Sequence, residues 1–332
     1  MVSIPSAILP LTGIGALMHL IGWGIAAGTL AILDFFCGRW WHALLFNQSV
    51  LAARIRIQSP QKIAKDYLFH NSNWIYRPPW TYEAEKLGAR IIFYFYSTNC
   101  ERFKQSNGYP GFNYGWQAMN WPYYLVWDAY QADFVYRAVG ENVNVSVVGP
   151  IWFHTSKVEL QKLPSRAIAV FDVQPVRDAF YQSLGIEFDY YTPQTAIQFL
   201  SNIYTVLAEY SCALVLKRKR NVGRLAHPKY RQFLNKFDEM PSFLSIDPDT
   251  SAIQLIKECT AVISMPFTST ALLGRELGKP SIYYDPHGLI QKDDRGAHGI
   301  EVLCGQYELR AWVTGIVSSE VMSEKLCEDV IE

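Results

Sequence analysis

From Ala167 to Tyr284 the chain alternates short apolar runs with longer amphipathic stretches, and that alternation leaves few folds open. The expected order is strand Ala167–Phe171, helix Thr195–Tyr210, strand Ala213–Leu216, helix Lys229–Phe237 and strand Phe243–Ile246. It continues with helix Ala252–Glu258, strand Ala261–Ser264, helix Thr270–Leu277 and strand Ser281–Tyr284. Short strands that are apolar throughout, each followed by a helix, imply a parallel sheet covered on both faces. A shorter series precedes it, with apolar runs at Asp66–Phe69, Arg90–Tyr96, Tyr123–Val126 and Val143–Val147 and helices at Tyr82–Leu87 and Ala129–Val139. The polar stretch His154–Arg166 reads as a linker between the two. The fold class is therefore α/β, with two lobes built on parallel sheets, residues 61–156 and 165–332, and 332 residues are enough for both. In such sheets ligands bind at the carboxyl ends of strands, so the loops that follow strands are where chemistry is sought.

A third region, residues 1–60, is of another kind. From Met1 to Leu33 there is no Asp, Glu, Lys or Arg, and Leu11–Leu33 as a helix spans about 35 Å, enough for a bilayer core. Trp40 and Trp41 stand where interfacial aromatics are expected, and Arg39, Arg54 and Arg56 all follow the apolar run. This predicts a membrane-associated helical segment with the rest of the chain on the cytoplasmic face. A Gly-rich core helix and a hairpin dipping into one leaflet are the alternatives.

Charge excludes several classes. Thirty basic against thirty acidic residues give a formal net charge of zero, and only 18% of residues are charged. A basic nucleic-acid binder and an acidic disordered chain are both ruled out by that balance. The six Cys lie at 37, 100, 212, 259, 304 and 327, without a C-x-x-C pair, which predicts reduced thiols and no zinc site.

Two loops carry the candidate chemistry. Ser264-Met-Pro-Phe-Thr-Ser-Thr270 joins a β-branched strand to a helix and ends in three hydroxyls, Thr268, Ser269 and Thr270, beside the helix start. Free backbone N–H groups, a helix dipole and hydroxyls make an anion site; helix capping alone explains one of the three. Upstream, Lys217-Arg-Lys-Arg220 ends a strand, and Ala226-His-Pro-Lys229 heads the next helix. Lys217, Lys219, Arg220 and His227 are the candidates for neutralising a phosphate, and His227 is also a candidate proton donor to a leaving phosphate.

The segment Ala261-VISMPFTSTALLGRELGKPSIYYDP-Pro286 resembles the carboxyl-terminal lobe of two-Rossmann, GT-B type glycosyltransferases. Its Pro266-Phe-Thr-Ser269 is similar to the signature of the bacterial surface-polysaccharide biosynthesis proteins named for a PFTS motif. The resemblance extends through Tyr67-LFHNSNWIYRPPW-Trp80, Phe93-YFYSTN-Asn99, Trp121-PYYLVWD-Asp128 and Phe171-DVQP-Pro175. It implies a metal-independent glycosyltransferase with no cofactor, a nucleotide-sugar donor as substrate, and a lipid-linked glycan of the O-antigen or capsule kind as acceptor. Residues 165–332 would be the nucleotide-sugar lobe and 61–156 the acceptor-side lobe, short for a complete one.

His227-Pro228 followed by Ser269-Thr270 matches in type and order the His-Pro and Ser-Ser/Thr motifs of sialyltransferases and Kdo transferases of this fold. Similar UDP-sugar enzymes place a ribose-binding Glu where Leu273 stands here, with Glu276 close by. The resemblance thus favours a CMP-activated acidic sugar of nonulosonate or Kdo type. The alternatives are a UDP-sugar transferase or epimerase and a non-catalytic glycan-assembly subunit. An inverting transfer needs a base facing the donor, and the candidates are Asp172 first, then Asp128, with His70 and Glu83 on the acceptor side. Trp116 and Trp121 are candidates for stacking on acceptor sugar rings, and 99–119, which lacks an apolar period, reads as an acceptor-side loop.

Overall fold

Parallel strands order both halves of the chain. The computed structural model describes residues 11–71, 76–151, 158–179, 190–218 and 223–328. They fall into two units, Met1–Tyr96 with Phe112–Val148 and Ser97–Gly111 with Gly149–Glu332. The first unit holds a four-stranded parallel sheet of β1 (Asp66–His70), β2 (Arg90–Tyr94), β3 (Tyr123–Val126) and β4 (Asn144–Val147), side by side in chain order. Its core is aromatic. Trp121, 2% exposed, lies between Phe69 and Phe93 with ring centroids 4.9 Å from each, and Trp80 meets Tyr67 at 5.2 Å.

The helices of this unit are α1 (Ile14–Phe36), α2 (Trp41–Ile57), α3 (Trp80–Lys86), α4 (Tyr114–Gln117) and α5 (Ala129–Val139). Helix α1 has the length and composition to cross a membrane, and within it only Ala31 is buried. The sequence marks residues 1–60 as one membrane-associated segment with a hairpin as an alternative, and the chain does turn at Gly38 (φ 78°) and return as α2. The two run antiparallel. Asp34 at the end of α1 pairs with His42 at the start of α2, Trp23 stacks on Phe46 at 6.4 Å, and Lys62 Nζ donates to Thr12 Oγ1 at 2.7 Å. Asn47, Gln48 and Ser49 make α2 too polar to continue the apolar run, and its far end is anchored by buried Ala53 and Ile55.

The second unit holds a six-stranded parallel sheet in the order β10-β9-β8-β5-β6-β7. The strands are β5 (Ala167–Phe171), β6 (Ala213–Lys217), β7 (Phe243–Ile246), β8 (Ala261–Ser264), β9 (Ser281–Asp285) and β10 (Glu301–Cys304). Every residue of β5, β6 and β8 is buried, as strands covered on both faces require. The connecting helices are α6 (Pro193–Glu209), α7 (Pro228–Phe237), α8 (Ala252–Glu258) and α9 (Thr270–Glu276), and α10 (Gly305–Glu328) closes the chain. Strand β10 and helix α10 extend the series beyond the nine elements expected from sequence. Arg310 of α10 forks onto Glu209 of α6 at 2.8 and 2.9 Å, and Leu309 and Val313 are buried beneath it.

The chain runs from β5 outward through β6 and β7, then returns to the other side of β5 to form β8. Strand order therefore reverses between β5 and β8, and ligands of open α/β sheets bind at the carboxyl ends of the strands flanking such a reversal. Helix α9 packs close at this point. A Cβ added to Gly274 would lie 2.8 Å from Val262 Cγ2 of β8, so the helix rests against the strand at a distance only glycine permits.

Candidate functional site

The loop from Met265 to Ser269 stands at the carboxyl end of β8. Met265 N–H donates to Phe171 O at 2.8 Å, which carries the β5–β8 ladder one residue past the strand. Phe267 is buried, with its ring 5.3 Å from Phe103 and 5.2 Å from Tyr283. Tyr191 OH donates to Pro266 O at 2.5 Å and accepts from Phe267 N–H at 3.2 Å, and Tyr283 OH donates to Thr268 O at 2.9 Å. The loop's backbone is thus fixed from two directions by tyrosine hydroxyls. Its side-chain hydroxyls form a short series, with Ser264 Oγ 2.8 Å from Thr270 Oγ1, Thr270 Oγ1 3.2 Å from Thr268 Oγ1, and Thr268 Oγ1 donating to Met265 O at 2.9 Å.

Ser269 has other company. Its Oγ accepts from Thr98 N–H at 3.0 Å and from Thr98 Oγ1 at 3.1 Å. The sequence places 99–119 with the acceptor side, yet Ser97–Gly111 belongs to the second unit and crosses it as a strap. Phe103 packs against Tyr190, Tyr191 and Phe267. Lys104 N–H donates to Asp294 at 2.7 Å, and Tyr109 OH donates to Asp294 at 3.3 Å while accepting from Arg295 N–H at 2.7 Å. Thr98, Tyr109, Asp294 and Arg295 were not found from sequence. The Tyr-Ser-Thr-Asn run gives no sign that its partners lie about 170 residues ahead.

On the other side of β5, residues 225–227 run antiparallel to 175–177. His227 N–H donates to Pro175 O at 2.9 Å and Arg177 N–H to Leu225 O at 3.0 Å. His227 is thereby held against the loop leaving β5. Its Nδ1 accepts from Lys229 N–H at 3.3 Å as the cap of α7, with Pro228 in the first turn. An accepting Nδ1 puts the proton of the neutral ring on Nε2, which makes that nitrogen a donor. Lys217 does not join this group. It is buried, with Nζ donating to Pro248 O at 3.0 Å and Arg218 O at 3.4 Å, and burial lowers its pKa. Lys219 and Arg220 lie outside the described residues.

Asp172, the first-choice base, ends β5 but is only 3% exposed. Tyr230 OH of α7 donates to its Oδ2, and burial pushes the carboxyl pKa up to about 6. A carboxyl enclosed by its own lobe does not reach an acceptor hydroxyl, so its position corrects the expectation of a cleft-facing base. In the first unit Asp128 Oδ1 caps α5 by accepting from Gln131 N–H at 3.0 Å, and Glu83 pairs with Lys86 at 2.7 Å. His70 lies beside Tyr96 at 5.8 Å between ring centroids, and burial lowers its pKa. Trp121 is core, and Trp116 stacks on Phe95 at 6.0 Å and meets Phe134 edge-on at 5.5 Å. The Trp121 ring is spent on packing the aromatic core instead of facing a sugar, and Trp116 is half-buried beside it.

A family model described as polysaccharide biosynthesis PFTS motif protein matches residues 29–313. The chain belongs to that family. The match takes in both sheets and the Pro266–Ser269 loop that carries the motif, now placed at the strand reversal. No curated protein matches the sequence. Among solved structures the chain is similar to the UDP-GlcNAc 2-epimerase of Methanocaldococcus jannaschii, with 9% identity over 81% of this chain and 74% of that one and a TM-score of 0.46. It is also similar to the glycotransferase of kitacinnamycin, with 13% identity, 97% and 79% coverage and a TM-score of 0.43. KpsC, a beta Kdo 2,4 transferase of Thermosulfurimonas dismutans, is similar at 16% identity over 47% of each chain, with a TM-score of 0.27.

The raised Asp172 pKa has a measurable consequence. Between about 4 and about 6 the folded protein holds a proton that the unfolded chain has lost, so unfolding free energy falls as pH rises through that window. Denaturant melts of the parent should show that decline, and Asp172→Asn should flatten it. An unchanged slope in the variant would place the titration elsewhere.

Proposed function

We propose that this PFTS protein is a glycosyltransferase that binds the phosphate of a nucleotide-sugar at the carboxyl ends of β5 and β8. The observation that carries the reading is the position of the family's own motif: its hydroxyl loop stands at the strand reversal, with His227 held on the other side of β5. A hydroxyl donor from the loop and an Nε2–H donor in a part-buried setting suit an anion that gains charge as it departs. In the transfer, an acceptor hydroxyl oxygen bonds to the anomeric carbon and its proton passes to solvent water. The anomeric carbon–oxygen bond to phosphate breaks, and its electron pair stays on the phosphate oxygen. The proton donor proposed for that oxygen is His227 Nε2–H.

The donor is a CMP-activated acidic sugar of nonulosonate or Kdo type. What supports this is the order His227-Pro228 then Ser269-Thr270, together with buried Leu273 in place of a ribose-binding carboxylate and Glu276 turned to solvent. In a thermal-shift comparison of CMP, CDP, UMP, UDP and GDP, CMP should raise the melting temperature most, and Ser269→Ala should remove most of that shift. Selective stabilisation by UDP would transfer the reading to a UDP-sugar enzyme. No response to any nucleotide would favour a non-catalytic assembly subunit.

The acceptor is a lipid-linked surface glycan met at the cytoplasmic face of the membrane, and the α1–α2 hairpin is the attachment. Ile14, Met18, Ile21, Ile25, Ile32 and Phe36 are exposed along α1, a face with no partner of its own chemistry in water. An acidic residue in the middle of a membrane-embedded helix costs about 3 kcal/mol. The double substitution Ile21→Glu with Ile25→Glu should therefore move the protein from the membrane pellet to the supernatant. Continued sedimentation with membranes would reject the hairpin as the anchor.

A further inference from the structure

Counting hydroxyl protons in the PFTS loop separates its three hydroxyl residues. A hydroxyl has one proton to give and two lone pairs to receive. Thr268 gives its proton to Met265 O, so in its contact with Thr270 it accepts and Thr270 donates. Thr270 has then spent its proton, so in its contact with Ser264 it accepts and Ser264 donates. The series runs in one direction, from Ser264 to Thr270 to Thr268 to the Met265 carbonyl, and all three protons are used inside the loop. Ser269 is the opposite case. Both of its lone pairs are filled by Thr98, one by the N–H at 3.0 Å and one by the hydroxyl at 3.1 Å, and among the described residues no acceptor takes its proton.

We infer that Thr98 is a positioning residue that fixes Ser269 as a hydrogen-bond donor, making Ser269 the hydroxyl of the motif that meets the donor phosphate, while Thr268 and Thr270 hold the loop in shape. The inference rests on the reading of this loop as the phosphate site. A hydroxyl able to rotate offers an anion either its proton or its lone pairs, and the second is repulsive. With both lone pairs engaged only the proton is offered, so the orientation is set before the ligand arrives. Thr98 is itself 3% exposed, and the strap that carries it is fastened at its other end by Lys104 and Tyr109 to Asp294. The donor pair on Ser269 is therefore built into the fold of the unit.

The test measures affinity for CMP and UDP beside cytidine and uridine, which lack phosphate, by titration calorimetry on the full chain. Ser269→Ala should weaken the binding nucleotide at least about tenfold and leave its nucleoside unchanged. Thr98→Val, which keeps the N–H and loses the hydroxyl, should weaken the nucleotide about fivefold, again without effect on the nucleoside. Thr98→Ser should restore it, and Thr98→Val should add nothing in the Ser269→Ala background. Thr270→Val should lower the melting temperature while leaving nucleotide affinity near the parent's. Should the valine methyl disturb the buried position, Thr98→Ala removes the hydroxyl without adding atoms. Full nucleotide affinity in the Thr98 variants, with Ser269→Ala weakened, would overturn the positioning role and leave the phosphate site standing. Equal loss of nucleotide and nucleoside in Thr98→Val would overturn it as general damage. Parent-like affinity in Ser269→Ala, or no nucleotide binding by the parent, would remove the phosphate site and this inference with it.

Discussion

The pairing of β8 with β5 is the contact on which the second unit's chemistry depends. Its register runs from Ile168 opposite Ala261 to Phe171 opposite Ser264, and the Met265 N–H to Phe171 carbonyl bond extends it into the loop. Both strands are buried on both faces, so a one-residue slip would exchange the side chains packed on the two faces and misfit both layers. With the ladder fixed, the backbone of the PFTS loop has little freedom left. Tyr191 and Tyr283 take up its polar groups, and Phe267 fills the space beneath. The motif's aromatic residue holds the loop, and its serine carries the hydroxyl whose lone pairs Thr98 occupies.

Much of this was legible in the sequence, for a reason that also explains what was not. Strands such as Ala261–Ser264 and Ala167–Phe171 are apolar throughout because both sheet faces are covered, so composition alone marks them, and the helices between them carry a clear period. The hydroxyl loop was found because it follows such a strand. The strap was not, because its hold on the unit comes from single residues whose partners are distant in sequence: Thr98 on Ser269, Lys104 and Tyr109 on Asp294. No periodicity reports contacts of that kind. Strand β10 escaped notice for a milder reason, since Glu301–Cys304 is an edge strand of four residues with an exposed charge at one end.

Asp172 shows how a position can be read correctly and its role missed. It does end the opening strand of the second unit, as its place in Phe-Asp-Val-Gln-Pro indicates. A strand end alone does not say whether the side chain faces solvent, and Tyr230, 58 residues on, decides it by covering one carboxylate oxygen. Trp121 is similar: aromatic residues near a loop suit sugar stacking and core packing alike, and Phe69 with Phe93 settles the matter. The apolar start of the chain was recognised by its lack of charge. Its return as α2 stood only as an alternative, because Trp41–Ile57 mixes polar and apolar residues without a strong period.

We propose that a donor phosphate is bound at the reversal between β5 and β8 and is met there by Ser269. A crystal structure of the protein soaked with CMP and, separately, with UDP tests it most directly. Phosphate density is expected at the carboxyl ends of those two strands, with a phosphate oxygen within hydrogen-bond distance of Ser269 Oγ and Thr98 still bound to the other side of Ser269 Oγ. Phosphate bound elsewhere on the chain, with the Ser264–Thr270 loop unoccupied, would contradict it.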